Sequence, residues 1–366
     1  MDFTIEKETL LSALTTLSKI NPTRTTLPIL STVFIKTHDN GMVGLRSTDL
    51  EVEMEIGISA KVLESGETCA PVYKLLEIAN SITEETISIN VNETQRMRIK
   101  TSTGKYLLMC SKTEEFPDQR EFVDEPKKMS ASFLRETIKN TTYACSKDEL
   151  KPTLNGVLFT FSSTSVTSVA TDGHRLVKYV CQQENNETET VLVPHKFLNI
   201  IGTGAVNTKK ASLQIYKDYI TIQTDEIKLS SRLISEKFPD YENVIPKENE
   251  NETKVKTKNL LSAVRKVSLM SNKTTKQIVL KLSSNKITVS AEDHETGGAA
   301  TDEIEATTKG QELTIGFNST LLTEILKHQS SEDVVILTSS ALSATLFNLV
   351  GEKETQTTTL LMPIRI

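Results

Sequence analysis

Four landmarks recur along the chain in one order and at nearly one spacing. Paired large apolar residues stand at Leu10-Leu11, Phe133-Leu134 and Leu260-Leu261, 123 and 127 positions apart. An acid closes a β-rich run at Asp49, Asp172 and Asp293, 123 and 121 positions apart. A second apolar pair stands at Leu75-Leu76, Phe197-Leu198 and Leu321-Leu322, 122 and 124 positions apart. Phe116-Pro117-Asp118 returns 122 positions later as Phe238-Pro239-Asp240, and the third copy runs out near Met362-Pro363. Each landmark alone is common, but four in register are hard to obtain by accident. A period near 122 residues is too long for a solenoid unit and suits a whole domain. The chain therefore reads as three tandem domains, 1–125, 126–250 and 251–366, parting in the polar stretches 123–128 and 247–252.

Each copy reads strand, helix, several strands, helix, more strands. Leu10, Leu11, Leu14 and Leu17 have helical spacing. Period-two runs mark strands at Ile87-Ile89-Val91, at Leu213-Ile215 and Ile220-Ile222, and at Ile278-Leu280-Leu282 and Ile287-Val289. The expected class is α+β: three copies of a mainly antiparallel sheet domain with two helices each.

The chain offers little chemistry. In Thr171-Asp172-Gly173-His174-Arg175-Leu176 an acid and a histidine stand two apart, the residue types of acid–base work. Asp49 and Asp293 occupy the matching spot in the other copies, so the acid reads better as an architectural strand end with Gly173 turning the chain. Gly173-His174-Arg175 belongs to copy two alone and marks a local site. A hydrolase built on Asp172, His174 and Arg175 lacks a further catalytic partner. Gly202-Thr203-Gly204 resembles the start of a dinucleotide fingerprint, but Asn207 stands at the third glycine and the string falls at a helix end. No phosphate loop, nucleophile elbow or H-E-x-x-H string is present, and His38, His195, His294 and His328 are isolated. Cys69, Cys110, Cys145 and Cys181 form no C-x-x-C pair, which argues for reduced, mostly buried thiols. No enzyme activity, cofactor or metal is expected. With no run of about 18 apolar residues and no signal-peptide pattern, a cytoplasmic location away from membranes is expected.

Net charge is −6, which alone argues mildly against nucleic acid. The distribution argues otherwise. The expected helices carry Lys19, Lys74, Arg135, Lys139, Lys196, Lys258, Arg265, Lys266 and Lys327 against Glu8, Glu77, Glu136 and Glu324. Either these are ordinary solvated helix faces, or the helices share a surface that meets phosphates without reading sequence.

The chain resembles the bacterial DNA sliding clamps, the beta subunits of the replicative DNA polymerase III holoenzyme, along its whole length. The strings that carry the resemblance are Thr26-Leu27-Pro28-Ile29-Leu30, Leu154-Asn155-Gly156-Val157-Leu158-Phe159, Ala170-Thr171-Asp172-Gly173-His174-Arg175-Leu176, Phe238-Pro239-Asp240-Tyr241, Ile315-Gly316-Phe317-Asn318 and Met362-Pro363-Ile364-Arg365-Ile366. The resemblance implies a head-to-tail homodimer: a six-domain ring around duplex DNA that tethers the replicative polymerase and other proteins bearing a clamp-binding motif, and that is placed by a clamp loader. It implies a partner-peptide pocket at Leu154, Thr171, Gly173, His174, Arg175, Leu176, Pro239, Val244, Leu360, Leu361, Met362, Pro363, Ile364 and Arg365. It implies DNA contacts at Arg24, Lys196 and Lys151. A ring seam is implied between Tyr106 and Leu108 of one chain and Leu269 and Met270 of the other. Asn243, Leu321 and Thr153 stand where the family often has an arginine, a tyrosine and an aromatic residue. A monomeric peptide-binding scaffold without DNA stays open at this level, and the mass in solution separates it from a dimer.

Overall fold

The computed structural model describes residues 1–349 and 355–366. Six α-helices occur among the described residues, two per repeat: α1 Lys7–Leu17, α2 Val72–Ser81, α3 Leu134–Thr141, α4 His195–Gly202, α5 Thr257–Ser268 and α6 Ser319–His328. The expected apolar pairs all lie on these helices except Phe133, which caps α3. Lys19, expected on a helix, falls just beyond the observed end of α1, and Leu269 and Met270 just beyond that of α5. In α1 the buried residues Leu10, Ala13, Leu14 and Leu17 form one stripe, which is why this segment is helical and inward-facing. The side chain of Asn318 caps α6, accepting from the backbone N–H of Thr320 and Leu321.

The chain forms two compact units, and they do not follow the repeats. Residues 1–132 and 196–233 make the first, residues 133–195 and 234–366 the second, so the middle copy is divided between them. The first unit holds two antiparallel sheets. One runs Lys61–Glu64, Asp2–Glu6, Thr86–Val91, Arg96–Lys100, Lys105–Met109. The other runs Lys127–Ser130, Ser212–Ile215, Tyr219–Gln223, Ile227–Arg232, Val52–Ser59, Met42–Thr48, Thr32–Thr37, Gly66–Pro71. The second unit holds a 12-stranded order: Glu189–Pro194, Gly156–Phe161, Ser165–Thr171, Arg175–Gln182, Thr355–Leu361, Thr345–Leu349, Asp333–Thr338, Asn251–Lys256, Gly298–Lys309, Lys286–Asp293, Gln277–Ser283, Leu313–Asn318.

These orders show how the repeats join. Ile227–Arg232 of copy two pairs with Val52–Ser59 of copy one, and Thr355–Leu361 of copy three pairs with Arg175–Gln182 of copy two. Each junction is a continuous antiparallel ladder among the described residues.

The core of the third repeat packs Leu260, Val264 and Val267 of α5 and Leu322, Ile325 and Leu326 of α6 over Ile278, Leu280, Ile315, Phe317 and Phe347. Phe317 and Phe347 meet edge to face at 6.0 Å and are both fully buried. Replacing Phe347 by alanine leaves a ring-sized cavity in this layer. Phe347→Ala is expected to destabilise the second unit by about 3–5 kcal/mol, read as a fall in the midpoint of urea unfolding with an unchanged slope.

Candidate functional site

The turn that closes the strand pair Ser165–Thr171 and Arg175–Gln182 is built by its own side chains. Thr171 Oγ1 donates to the Arg175 carbonyl (2.6 Å) and accepts the Gly173 N–H (3.1 Å). Asp172 Oδ1 accepts the N–H groups of His174 and Arg175, both at 2.9 Å. Gly173 sits at φ +89°, where a side chain is strained. The acid at Asp172 therefore serves the backbone, as expected from its recurrence. Asp49 Oδ1 likewise accepts from Glu51 and Val52, and Asp293 Oδ1 from Glu295.

The strand period of two then divides the expected pocket residues between two faces. Leu176, opposite Thr171 and Leu360, lies on the outer face. There Val169, Leu176, Leu192, Phe238, Leu346 and Leu360 form a buried apolar floor. Arg175 and Leu361, which are paired with each other, point the opposite way, and Leu361 belongs to the core of the third repeat. Arg175 is 4% exposed and fully engaged. Its Nε donates to Asp172 Oδ2 (3.0 Å), Nη1 to Glu324 Oε2 (2.6 Å) and Nη2 to the Tyr143 carbonyl. Its guanidinium lies 5.3 Å from the centre of the Tyr143 ring, which stacks on His328 at 3.9 Å. Arg175 and Leu361 thus lie on the face opposite Leu176 and Leu360. Burial pushes the Tyr143 hydroxyl up to about 12, so it stays protonated.

A strap crosses the outer face. Phe238 is buried over the floor and meets Tyr241 edge-on at 6.4 Å. Pro239 and Val244 stay exposed. The short helix Glu242–Val244 is pinned by Lys178, whose Nζ reaches Glu242 Oε1 at 2.6 Å and lies 5.6 Å from the centre of the Tyr241 ring. Asn243 Nδ2 donates to Asp240 Oδ2 (2.7 Å). Leu154, half-buried, ends the short helix Pro152–Leu154, with its carbonyl held by the Ser146 N–H (2.9 Å).

The chain end supplies the remaining wall. Regular pairing stops at Leu361, ahead of Pro363. Met362, 41% exposed, donates its N–H to the exposed His174's carbonyl (2.8 Å). Beyond the proline the chain pairs once more, the Ile364 N–H reaching the Gly316 carbonyl at 2.8 Å. That approach needs glycine, because a Cβ at 316 would lie 2.8 Å from the Ile364 carbonyl oxygen. Gln277 Nε2 reaches the carbonyl of Arg365, which is itself exposed (3.4 Å).

A groove of about 440 Å³ runs beside the strap, lined by Leu158, Leu192, Ile234, Phe238, Pro239 and Tyr241 among others. Of the residues expected from sequence only Pro239 lines it. The period-two placement of Leu158 and Leu192 was the available signal for the rest.

The other expected residues are scattered. Arg24 is exposed in the loop before Leu27. Lys196 is ion-paired with Asp49 and donates to the Ile20 carbonyl (3.3 Å); Lys151 stands 3.9 Å from Asp148. Of the other helix cations, Lys74 pairs with Glu77, Lys266 pairs with Asp302 and Lys19 donates to Thr203 Oγ1. Arg135, Lys139, Lys258, Arg265 and Lys327 are exposed. The strand Lys105–Met109 is a sheet edge, with Tyr106 and Leu108 half-buried opposite Ile99 and Met97 and with Leu107 and Met109 pointing out. Leu269 and Met270 are 80% and 46% exposed. Residues 298–305 pair only with Lys286–Asp293 among the described residues, so another open edge lies there.

Burial raises the thiols of Cys69 and Cys145 to about 12, which leaves them unreactive at neutral pH. All four cysteines are free. Among the described residues no helix is long and apolar enough to cross a membrane, and no cluster of metal-ligating side chains occurs.

Family profiles for the N-terminal, central and C-terminal domains of the DNA polymerase III beta subunit match residues 1–120, 128–240 and 242–365. The beta sliding clamp of Pseudomonas putida is 29% identical over 374 residues, covering all of both chains. The crystal structure of the DNA polymerase III subunit beta from Pseudomonas aeruginosa matches at 28% identity with a TM-score of 0.90 and full coverage of both chains. The sliding clamp of Bartonella birtlesii bound to griselimycin matches at 26% identity with a TM-score of 0.91 and full coverage.

The strap's anchor sets a pH dependence. The hydrogen bond from Lys178 holds the Glu242 carboxyl below its ordinary value of 4.5. A carboxyl depressed on folding contributes stability above that ordinary value and loses it as pH falls through the lower folded-state value. Glu242→Gln is therefore expected to melt below the parent protein at neutral pH and to converge with it well below pH 4.5. A difference that persists unchanged into acid shows that this pair does not hold the strap.

Proposed function

The chain belongs to the DNA polymerase III beta subunit family and is a DNA sliding clamp, and from that premise we propose how its own surfaces carry the work. It is a non-catalytic processivity subunit that acts as a dimer with duplex DNA and the replicative polymerase. The supporting observation is that profiles for all three domains of one subunit follow one another from residue 1 to residue 365. Repeats 1–125, 126–250 and 251–366 are its three domains, and two chains close six of them into a ring in the cytoplasm. A ring that slides must not grip bases. Contacts from lone Lys and Arg side chains to phosphates meet that need, because they carry no sequence information.

The exposed Arg24 and the free helix cations Arg135, Lys139, Lys258, Arg265 and Lys327 are the DNA-facing charges in this reading. Lys151 and Lys196 join them by exchanging Asp148 and Asp49 for phosphate. The seam lies between the edge strand Lys105–Met109, carrying Tyr106 and Leu108, and the open edge at 298–305 of the other chain. Leu269 and Met270 flank that edge, since Met270 Sδ lies 3.4 Å from where a Cβ on Gly298 would stand. The edge at 105–109 and the edge at 298–305 are both accounted for if each covers the other's in the partner chain. On this reading Leu269→Asp with Met270→Asp, which replaces exposed side chains only, gives monomers in sedimentation and a protein that no longer stays on circular DNA. The parent dimer stays on the circle and is released when the circle is cut. A variant that remains dimeric removes these residues from the seam.

The partner groove is formed by the apolar floor under Leu176 and Leu360, the exposed Pro239 and Val244 of the strap, His174, and the tail from Met362. Apolar walls with few polar anchors suit a short peptide in which a glutamine precedes large apolar residues, as carried by the polymerase and other replication and repair proteins. A clamp loader is a further expected partner. Each buried apolar side chain contributes about 1.5–3 kcal/mol, against about −8 kcal/mol for a micromolar complex. Deleting residues 362–366 should leave a folded dimer on DNA yet abolish binding of such a peptide in fluorescence anisotropy. Unchanged peptide affinity places the groove elsewhere.

A further inference from the structure

The turn beside the partner groove has a twin in the first unit, matching it bond for bond. Thr48 Oγ1 donates to the Val52 carbonyl and accepts the Leu50 N–H, both at 3.0 Å, as Thr171 does with Arg175 and Gly173. Leu50 sits at φ +79° where Gly173 sits at +89°. Arg232 donates its N–H to the Glu51 carbonyl (3.1 Å) as Met362 does to that of His174. The ladders are in the same register, Val52 opposite Ser231 as Arg175 is opposite Leu361. Position by position, Glu53 then stands for Leu176, Ser230 for Leu360, Thr221 for Leu346 and Arg46 for Val169. Four aliphatic residues of the apolar floor have become polar or charged.

The twin is occupied. Arg120 follows Phe116-Pro117-Asp118 at the position that Glu242 takes after Phe238-Pro239-Asp240. Its Nη1 donates to the Glu51 carbonyl (3.0 Å) and its Nη2 to that of Leu50, and its guanidinium lies 5.1 Å from the centre of the Tyr219 ring. Beneath it Glu53, 8% exposed, faces Arg46 Nη1 at 3.5 Å. Arg46 is itself 5.1 Å from the ring centres of both Phe34 and Phe116. Burial raises the Glu53 carboxyl, and the charges of Arg46 and then Arg120 offset part of that rise. A planar fork over an aromatic ring, aimed at two carbonyls above a buried acid, is a geometry that a guanidinium satisfies and an ammonium does not.

We propose that the junction of the first two repeats is a second, polar copy of the docking site, that it takes a guanidinium, and that Arg120 of the chain itself fills it. The comparison rests on the docking reading above. The guanidinium site stands without it, because all its contacts lie in the first unit. Apolar partner peptides then find one groove per chain, and the filled twin holds down the segment that leads into the second repeat. Phe122 of that segment stacks on Tyr216 at 4.3 Å, and Val123 beside it is exposed.

Chymotryptic cleavage between Phe122 and Val123, followed by mass spectrometry, reads the hold directly, with bonds of the second unit as the internal control. Arg120→Ala and Arg120→Lys are both expected to raise that cleavage rate about tenfold over the parent protein, as the loss of charge-assisted hydrogen bonds implies. Millimolar ethylguanidinium should restore protection to Arg120→Ala, whereas ethylammonium at the same concentration should not. If Arg120→Lys is cleaved no faster than the parent, or if the two cations act alike on Arg120→Ala, the site is not one for a guanidinium. The lysine variant keeps charge and stem, so it decides the matter even if the alanine variant fails to fold.

Discussion

The ladder between Arg175–Gln182 and Thr355–Leu361 is the constraint on which the proposed partner groove depends. It joins two repeats with backbone hydrogen bonds, so the third copy's last strand is held in register against the second copy's turn. Leu176 and Leu360 become cross-strand neighbours on one face, and Arg175 and Leu361 on the other. The first pair makes the floor of a groove; the second closes a core. The chain end leaves the ladder beside His174 and is caught again at Gly316, which turns five terminal residues into a wall.

The acid that recurs in each repeat has one backbone task and three different side-chain partners. Asp49 takes Lys196, Asp172 takes Arg175 and Asp293 takes Asn272. The backbone task explains the recurrence, because the tight turn leaves N–H groups that need an acceptor close by. The partners explain why the sites differ. Arg175 is drawn into a cluster with Glu324 in the second unit, whereas Lys196 stays partly exposed.

Repetition in the sequence was legible because each copy must bury the same helix pair and turn the same strands, so Leu10-Leu11 and Asp49 return at fixed offsets. The expected α+β class, the two helices per copy and the architectural role of the aspartate all follow from such local periodicities. The roles of Arg175 and Leu361 were not legible. Arg175 stands in a string that carries the family resemblance and Leu361 just ahead of one, but the face each one takes is set by strand register against a segment about 180 residues away. Tyr241 was overlooked as a groove residue because its place, too, is set only by folding. A strap that folds back over a sheet has no periodicity of its own.

The sequence by itself determined that this protein is a threefold repeat, since periodicity is a property of the chain read in order. The tertiary structure alone decided that the repeats fuse through shared sheets, so that compact units cut across the middle copy. It alone decided which of two equivalent turns the chain covers with its own arginine. That choice comes from long-range contacts: Glu242 is drawn away by Lys178 in one strap, while Arg120 lies across the turn carbonyls in the other. Neither contact leaves a trace in local spacing, because each joins residues brought together only by folding.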